Sequence, residues 1–450
     1  MLEAPTVLLL MGIALIVFIV AGLHIYVVLG MVSLVGTYLL FGDVGITLEL
    51  ASSSAYAVLR NAVFAAIPLF VLMGEFMSRA GMATDLYKIA NYFLRKLPGR
   101  LAIATVLGNA VFAAVTGVSV ASAMTFSRIA YPEMMKFGYN RSFALGSIAG
   151  SASLGMLIPP SVLLIVWGII IEKSIGKLFL AGFIPGLILA LLMGLYVSVR
   201  ASMRPELAPS KIEGDTESVA TVPTGKEVIS GLGVIVLILL VLGGLFAGFF
   251  TPMESAAVGC GGAIIFSYIK GLRWSQYRTA VVDSGKTIAP VLVLLMTAAM
   301  YAKFLALGSV VDMIQDLING MGLGPFGVTV LMILIWLALG TLIDSISIIL
   351  LTVPIFWPLA EAAGWDVNAF AIFGILAIEA GLLTPPLGLL VYTVKGAVPD
   401  PSVTLTEIFA GSIPYWILML IVMTIIFPCQ CPIIYVTQCS QTFLRLMGTK

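Results

Sequence analysis

Two stretches of the chain, Val234 to Phe250 and Val328 to Leu342, contain no charged side chain at all. A bilayer core is crossed by roughly 20 mostly apolar residues in a helix. Every backbone polar group there must be paired internally. Unbroken runs of this length therefore demand helices, and they exclude a β-barrel, whose strands alternate over short segments. The same character extends over the whole 450 residues, of which 60% are hydrophobic and 10% charged. Soluble domains carry about a quarter charged residues. The expected class is an all-α polytopic membrane protein of around a dozen crossings with no sizeable soluble domain.

The 23 basic and 22 acidic residues nearly cancel, and no basic cluster is interleaved with aromatics, so nucleic acid is not an expected partner. Glu3 and the absence of an early Lys or Arg separate the N-terminus from a secretory signal, and it reads as the first span. Cys260 lies in a span, while Cys429, Cys431 and Cys439 cluster near the end. A lone C-x-C is no metal framework.

Spans are expected at Pro5–Leu23, Ile25–Phe41, Ala62–Ser78, Phe143–Ile171, Leu178–Val199, Val228–Phe250, Glu254–Tyr268, Thr287–Leu307, Ala369–Val394 and Ile408–Phe427. Ile46–Arg60 is more polar and suits an interfacial helix, and Arg79–Arg100 reads as a polar connection. Two apolar segments have polar midpoints, Leu101–Tyr131 at Thr116, Gly117, Ser119 and Ser122, and Phe326–Trp357 at Thr341, Asp344, Ser345 and Ser347. Each reads as a helix, a polar tip and a return helix.

Sliding the chain against itself by 226 positions aligns Ser119 with Ser345, Pro132 with Pro358, Gly138 with Gly364 and Asn140 with Asp366. The same offset pairs Gly155 with Gly381 and Pro159-Pro160 with Pro385-Pro386. An ordered Pro, Gly and Pro-Pro series at one ungapped offset marks two homologous halves. They are residues 1–200 (hairpin at about 101–131, broken helix 143–171) and 227–427 (hairpin at about 326–357, broken helix 369–394). A linker, 201–226, rich in Pro, Glu, Ser and Thr, joins them, and 428–450 is an atypical tail. Arg95, Lys96, Arg100, Lys136 and Arg141 flank the first hairpin, and Asp312, Asp316, Glu361 and Asp366 the second. By the positive-inside rule the repeats are inverted, with the linker cytoplasmic and the N-terminus outside.

Irregular backbone at membrane depth survives only inside protein or along a hydrated cavity. Each half has two such places, the hairpin tip and the Pro-Pro interruption (Gly155 to Ser161, Gly381 to Gly388). Proline frees a carbonyl one turn earlier, which suits a hard cation. Half-helix N-termini suit an anionic substrate group. Paired breaks of this kind point to a secondary transporter.

The stretches Phe112–Ser122, Gly155–Ser161, Gly381–Gly388 and Pro68–Glu75 resemble the large membrane subunit, or permease, of the tripartite ATP-independent periplasmic (TRAP) transporters. The resemblance extends to about Phe427, and the tail after it departs from the family. It implies an elevator whose mobile domain holds substrate and Na⁺ between two hairpin tips and two unwound helices. It also implies a small four-helix membrane subunit, a periplasmic binding protein that delivers a carboxylate substrate, and a bacterial inner-membrane location. No cofactor is implied beyond coupling Na⁺.

On that resemblance Thr116, Gly117, Ser119 and Ser122 with Gly155, Pro159, Pro160 and Ser161 form one ion site. Thr341, Asp344, Ser345 and Ser347 with Gly381, Thr384, Pro385 and Pro386 form its symmetry mate. Ser119, Asp344, Ser345 and Thr384 are the candidate side-chain ligands of sodium, Asp344 first, since a carboxylate at membrane depth needs a partner or cavity. Each hydroxyl also has a structural reading, a bond back to its own helix. Glu75 reads as a partner of Arg79 one turn on, Glu379 adjoins the Gly381 break, Arg128 reads as snorkelling ahead of attracting a substrate carboxylate, Lys303 stays open between those two readings, and His24 is a loop residue. Tyr26, Trp274 and Trp416 read as interface anchors. A self-sufficient sodium/divalent-anion elevator symporter shares this logic without a delivery protein. An enzyme is not expected, because an intramembrane aspartyl protease needs a second aspartate facing Asp344 and no span supplies one.

Overall fold

The computed structural model describes residues 3–209 and 222–426, and every regular element among them is helical. The tail 428–450, its C-x-C and most of the linker lie outside the described residues. Six helices are long and apolar enough to cross a membrane, or seven if the pair Arg141–Leu157 and Val162–Ile170, bent by 40°, counts as one span. Shorter apolar helices accompany them, so fewer spans pass this test than the dozen that length alone allows.

The first half begins with α1 (Ala4–Val20), α2 (Ile25–Phe41), α3 (Val44–Arg60), α4 (Ala66–Arg79) and α5 (Met82–Phe93). It continues through α6 (Arg100–Thr116), α7 (Ser119–Lys136), α8 (Arg141–Ala152), α9 (Leu154–Leu157), α10 (Val162–Ile170) and α11 (Ile175–Met203). The second half repeats this order with α12 (Gly225–Ile238), α13 (Gly244–Phe246), α14 (Pro252–Ile269), α15 (Trp274–Leu307) and α16 (Val310–Gly320). It closes with α17 (Pro325–Gly340), α18 (Ser345–Ala362), α19 (Val367–Gly381), α20 (Leu389–Ala397) and α21 (Leu405–Ile426). Both ends of α7 and α18, and the first residues of α8 and α19, are separated by the same 226 positions.

Two departures from the sequence reading have local causes. The polar connection Arg79–Arg100 contains α5, an amphipathic helix whose Met82, Ala83 and Tyr87 are buried. Its few apolar residues recur at helical spacing, a pattern that counting charges conceals. Thr287–Leu307 is only the latter part of α15, which starts at Trp274. In the first half the corresponding region is split into α3 and α4 by Asn61, extended at ψ 108° and capping a short 3₁₀ turn with its side chain. The related residue is Thr287, which continues the helix.

The packing forms two layers. α4 packs on α14 and α15 on α2, building an outer frame, while α6 to α10 and α17 to α20 form the inner body that carries the breaks. α5 touches both α6 and α12, and α16 both α15 and α18, so each amphipathic helix bridges frame and body. Inside the body Trp167 of α10 lies 6.0 Å from Trp336 of α17 and 5.8 Å from Phe370 of α19. The halves thus share an aromatic core whose buried Trp336 indole N–H donates to Thr352 Oγ1 at 2.9 Å.

Ion pairs tie the frame to its bridging helix α5, and a further pair links segments of the body. Arg79 bonds Glu75 and Asp283, both at 2.6 Å, Lys270 bonds Asp85 at 2.5 Å, and Lys88 bonds Glu227 at 2.8 Å. Arg141 reaches Asp400 at 3.2 Å, and Asp400 also accepts from Tyr131 at 3.1 Å.

Candidate ion and substrate site

Each hairpin ends in a non-helical tip because its descending arm needs a cap. Gly117, at φ +63°, closes α6 in the left-handed region, and Val118 turns the chain into α7 at Ser119. A Cβ on Gly117 would stand 2.5 Å from Pro160 O, so this left-handed turn packed on the break requires glycine. In the second hairpin Asp344 caps α18, accepting from Ser347 N at 3.1 Å and from Ser347 Oγ at 2.5 Å.

The two breaks join their tips in the same way. Val162 N donates to Gly117 O at 3.3 Å, and Gly388 N donates to Thr341 O at 3.2 Å. The donors are related by the 226-residue offset. Both Pro159-Pro160 and Pro385-Pro386 are cis. Gly155 lies against the backbone of Val118 and Ser119, where a Cβ would be tight at 3.1 Å, and Gly381 lies against Gly340, where a Cβ would come 2.9 Å from its Cα. Tip and break in each half therefore form one irregular unit, held by backbone contacts and lined by hydroxyls and carbonyls.

The candidate side chains divide by surroundings. Ser119 and Ser122 are fully buried and their hydroxyls have no partner. Ser161 donates to Met156 O at 2.5 Å, Thr116 to Phe112 O at 3.0 Å, Thr341 to Ala338 O at 2.7 Å and Thr384 to Ala380 O at 2.8 Å. Those bonds are the local backbone bonds of the structural reading, and each hydroxyl keeps lone pairs for an ion. Ser345 donates to Glu379 Oε1 at 2.8 Å. Asp344 is exposed and already bonded to Ser347.

Sequence reading left Glu379 aside as a neighbour of the break, and the structure brings it to the tip. Gly74 went unremarked within Pro68–Glu75. A Cβ there would meet Thr116 Cα at 2.9 Å, so this glycine lets α4 press against the first tip. The signal was available, a glycine midway along an apolar helix. Glu75 pairs with Arg79 at the frame and takes no place at the tips. Lys303 donates to Ser53 at 3.0 Å. It lines a cavity of about 630 Å³ with Asn61, Glu172, Lys173 and Pro354, apart from both tips.

Residues 12–429 match the family described as "Tripartite ATP-independent periplasmic transporter, DctM component". The chain belongs to this family. DctM components are transporter permeases, not enzymes, and each is one part of a three-part periplasmic system. The chain is 30% identical over 364 residues to the C4-dicarboxylate TRAP transporter large permease protein of Pseudomonas aeruginosa, covering 80% of this chain and 82% of that one. To the ectoine TRAP transporter large permease protein of Halomonas elongata it is 27% identical over 415 residues, covering 90% and 94%. Its fold is similar to that of the Alcanivorax borkumensis YdaH transporter, with a TM-score of 0.58 at 15% identity, over 85% of this chain and 88% of that one.

Proposed function

We propose that the chain is the permease of a sodium-coupled importer of organic acids, dicarboxylates or sugar acids among them, in a bacterial inner membrane. A periplasmic binding protein delivers the substrate, a small four-helix subunit braces the outer frame, and the N-terminus is periplasmic. The inner body carries substrate and Na⁺ between two hairpin tips as an elevator, moving against the frame on α5 and α16. The observation that carries this reading is the tip-to-break unit formed twice, by Gly117 O with Val162 N and by Thr341 O with Gly388 N. Two inverted, backbone-built cages at membrane depth have a use only where something polar is held there.

The donor set fits sodium. Ser119 and Ser122 hydroxyls with the first break's carbonyls supply one set of hard oxygens, and Ser345, Thr384 and the Asp344 carboxylate supply the second. The N-terminal turns of α7 and α18 present N–H groups to a substrate carboxylate. Co-reconstitution in proteoliposomes tests the reading, with labelled C4-dicarboxylates and sugar acids, an inward Na⁺ gradient, and the small subunit and binding protein each present or omitted. Uptake that needs all components and sodium is expected. Uptake by this chain alone would establish the self-sufficient symporter instead, and uptake indifferent to Na⁺ would remove sodium as the coupling ion.

A further inference from the structure

The cavity of about 630 Å³ at Lys303 lies where the frame meets the body, walled by α3, α10, α15, α18 and the turn between α10 and α11. No residue of either tip or either break lines it. Most of the wall is apolar, with Val58, Phe64, Ile169, Leu295 and Leu350 among its residues. Two ammonium groups stand in it. Lys303, on α15 of the frame, donates to a neutral hydroxyl, Ser53 Oγ, at 3.0 Å. Lys173 sits on the body side, in a turn that its own backbone N–H ties to Gly168 O of α10 at 2.9 Å. Among the described residues neither lysine forms an ion pair.

One carboxylate shares the wall, Glu172, held in the left-handed region at φ +52°. Two lysines against one glutamate leave a positive charge in excess. Asn61 accepts from Val63 N at 3.0 Å through its side-chain oxygen, which leaves its NH₂ as a further donor. The positions 226 residues from Lys303 and Lys173 are Met77 and Pro399, so the other half has no cation to match either. Cations with no acidic partner select an anion, and a concave apolar wall selects a ligand with an apolar body. A small inorganic anion gains nothing from the walls, and a neutral hydrocarbon gains nothing from the lysines.

We propose that this cavity binds an organic carboxylate with an apolar body, its charge matched by Lys303 and Lys173, and that the bound anion fastens the body to the frame. One lysine belongs to each part, so the ligand binds best to the arrangement that brings both to it and stabilises that arrangement by the difference in affinity. Occupancy therefore slows movement of the body and lowers transport without competing at the tips. The binding site stands on this geometry alone, while the braking role rests on the elevator reading.

Fluorescence titration of the purified full chain with 2-naphthoate, against uncharged 2-naphthamide, tests the site. Saturable binding is expected, at least about fivefold tighter for the carboxylate. Lys303→Gln and Lys173→Gln should each weaken it about tenfold. Ala302→Phe, which fills the cavity and keeps both lysines, should remove it. Glu172→Gln takes away the opposing charge and should tighten binding about threefold, a gain that loss of structure would not produce. Thermal unfolding of each variant checks that it is folded. Naphthoate affinity unchanged in both lysine variants and in Ala302→Phe would overturn the site. In proteoliposomes, 2-naphthoate should lower the maximal rate of uptake with KM for the substrate unchanged, and a purely competitive pattern would overturn the brake. Because the titration needs no transport, absence of sodium-driven uptake would count against the proposed function and not against this site.

Discussion

The two breaks share a backbone and differ in their surroundings. Gly155 to Ser161 is buried at every residue, whereas Pro385, Pro386 and Leu387 are exposed. The covering helices explain this. α11 lies over the first break, where a Cβ on Gly182 would come 2.7 Å from Leu157 O and one on Gly186 2.7 Å from Ile158. Its counterpart α21 presses on α8 at the close approach of Gly146 and Gly411 and meets the second break at its Gly388 end, through Phe409, while Pro385 to Leu387 stay exposed. The carboxylates divide the same way, since Asp344 and Glu379 correspond to Val118 and Ser153. Duplication has kept the cage and placed the charge in one half, which gives two similar units different access and different electrostatics.

The largest expected effect breaks the better-buried unit. Gly117→Ala places a Cβ against Pro160 O in a left-handed turn and should cost about 2 kcal/mol or more, read as a lower Tm in detergent. Accessibility follows. With Cys260, Cys429, Cys431 and Cys439 replaced, Leu387→Cys should react with a membrane-impermeant maleimide at least about tenfold faster than Ser161→Cys. Equal rates would dissolve the contrast between the breaks.

Asp344 sharpens the comparison on its charge. Asp344→Asn keeps the N-cap of α18, so Tm should hold while Na⁺ dependence of transport weakens. Asp344→Ala should lose about 1 kcal/mol in addition. Sodium activation unchanged in Asp344→Asn would leave Asp344 a helix cap alone. The smallest effect lies at the loop before α21. Hydrogen bonds from Ser402, and then from Tyr131 with Arg141 nearby, hold the Asp400 carboxyl below its usual range. A lowered folded pKa contributes stability above the unfolded value, and that stability is lost as pH falls through the folded one. Asp400→Asn should therefore lower Tm slightly at neutral pH and flatten its fall in acid.

Much of the architecture is legible one residue at a time. The Pro-Pro pairs, the polar tips and the single offset mark both cages, because proline and glycine act on their own backbone whatever surrounds them. Long uncharged runs make the chain helical and membrane-embedded for an equally local reason, the unpaired peptide group in hydrocarbon. Hydroxyl roles are less legible. Ser119 and Ser161 look alike in sequence, yet only Ser161 has a backbone acceptor, at Met156 O, while Ser119 has no partner.

What tertiary structure alone decided is which side chains converge. Glu379 reads as a carboxylate near a glycine, and only the packing of α19 against α17 and α18 brings it to Ser345. Likewise no local feature says that α11 buries all of its break while α21 leaves Pro385 to Leu387 exposed, since both are long apolar helices. Burial is a property of the neighbours. The sequence by itself determined most of the helices, the polar tips and the Pro-Pro breaks, because each follows from bonds within a few residues. Exposure and electrostatics were left to contacts between segments tens to hundreds of positions apart.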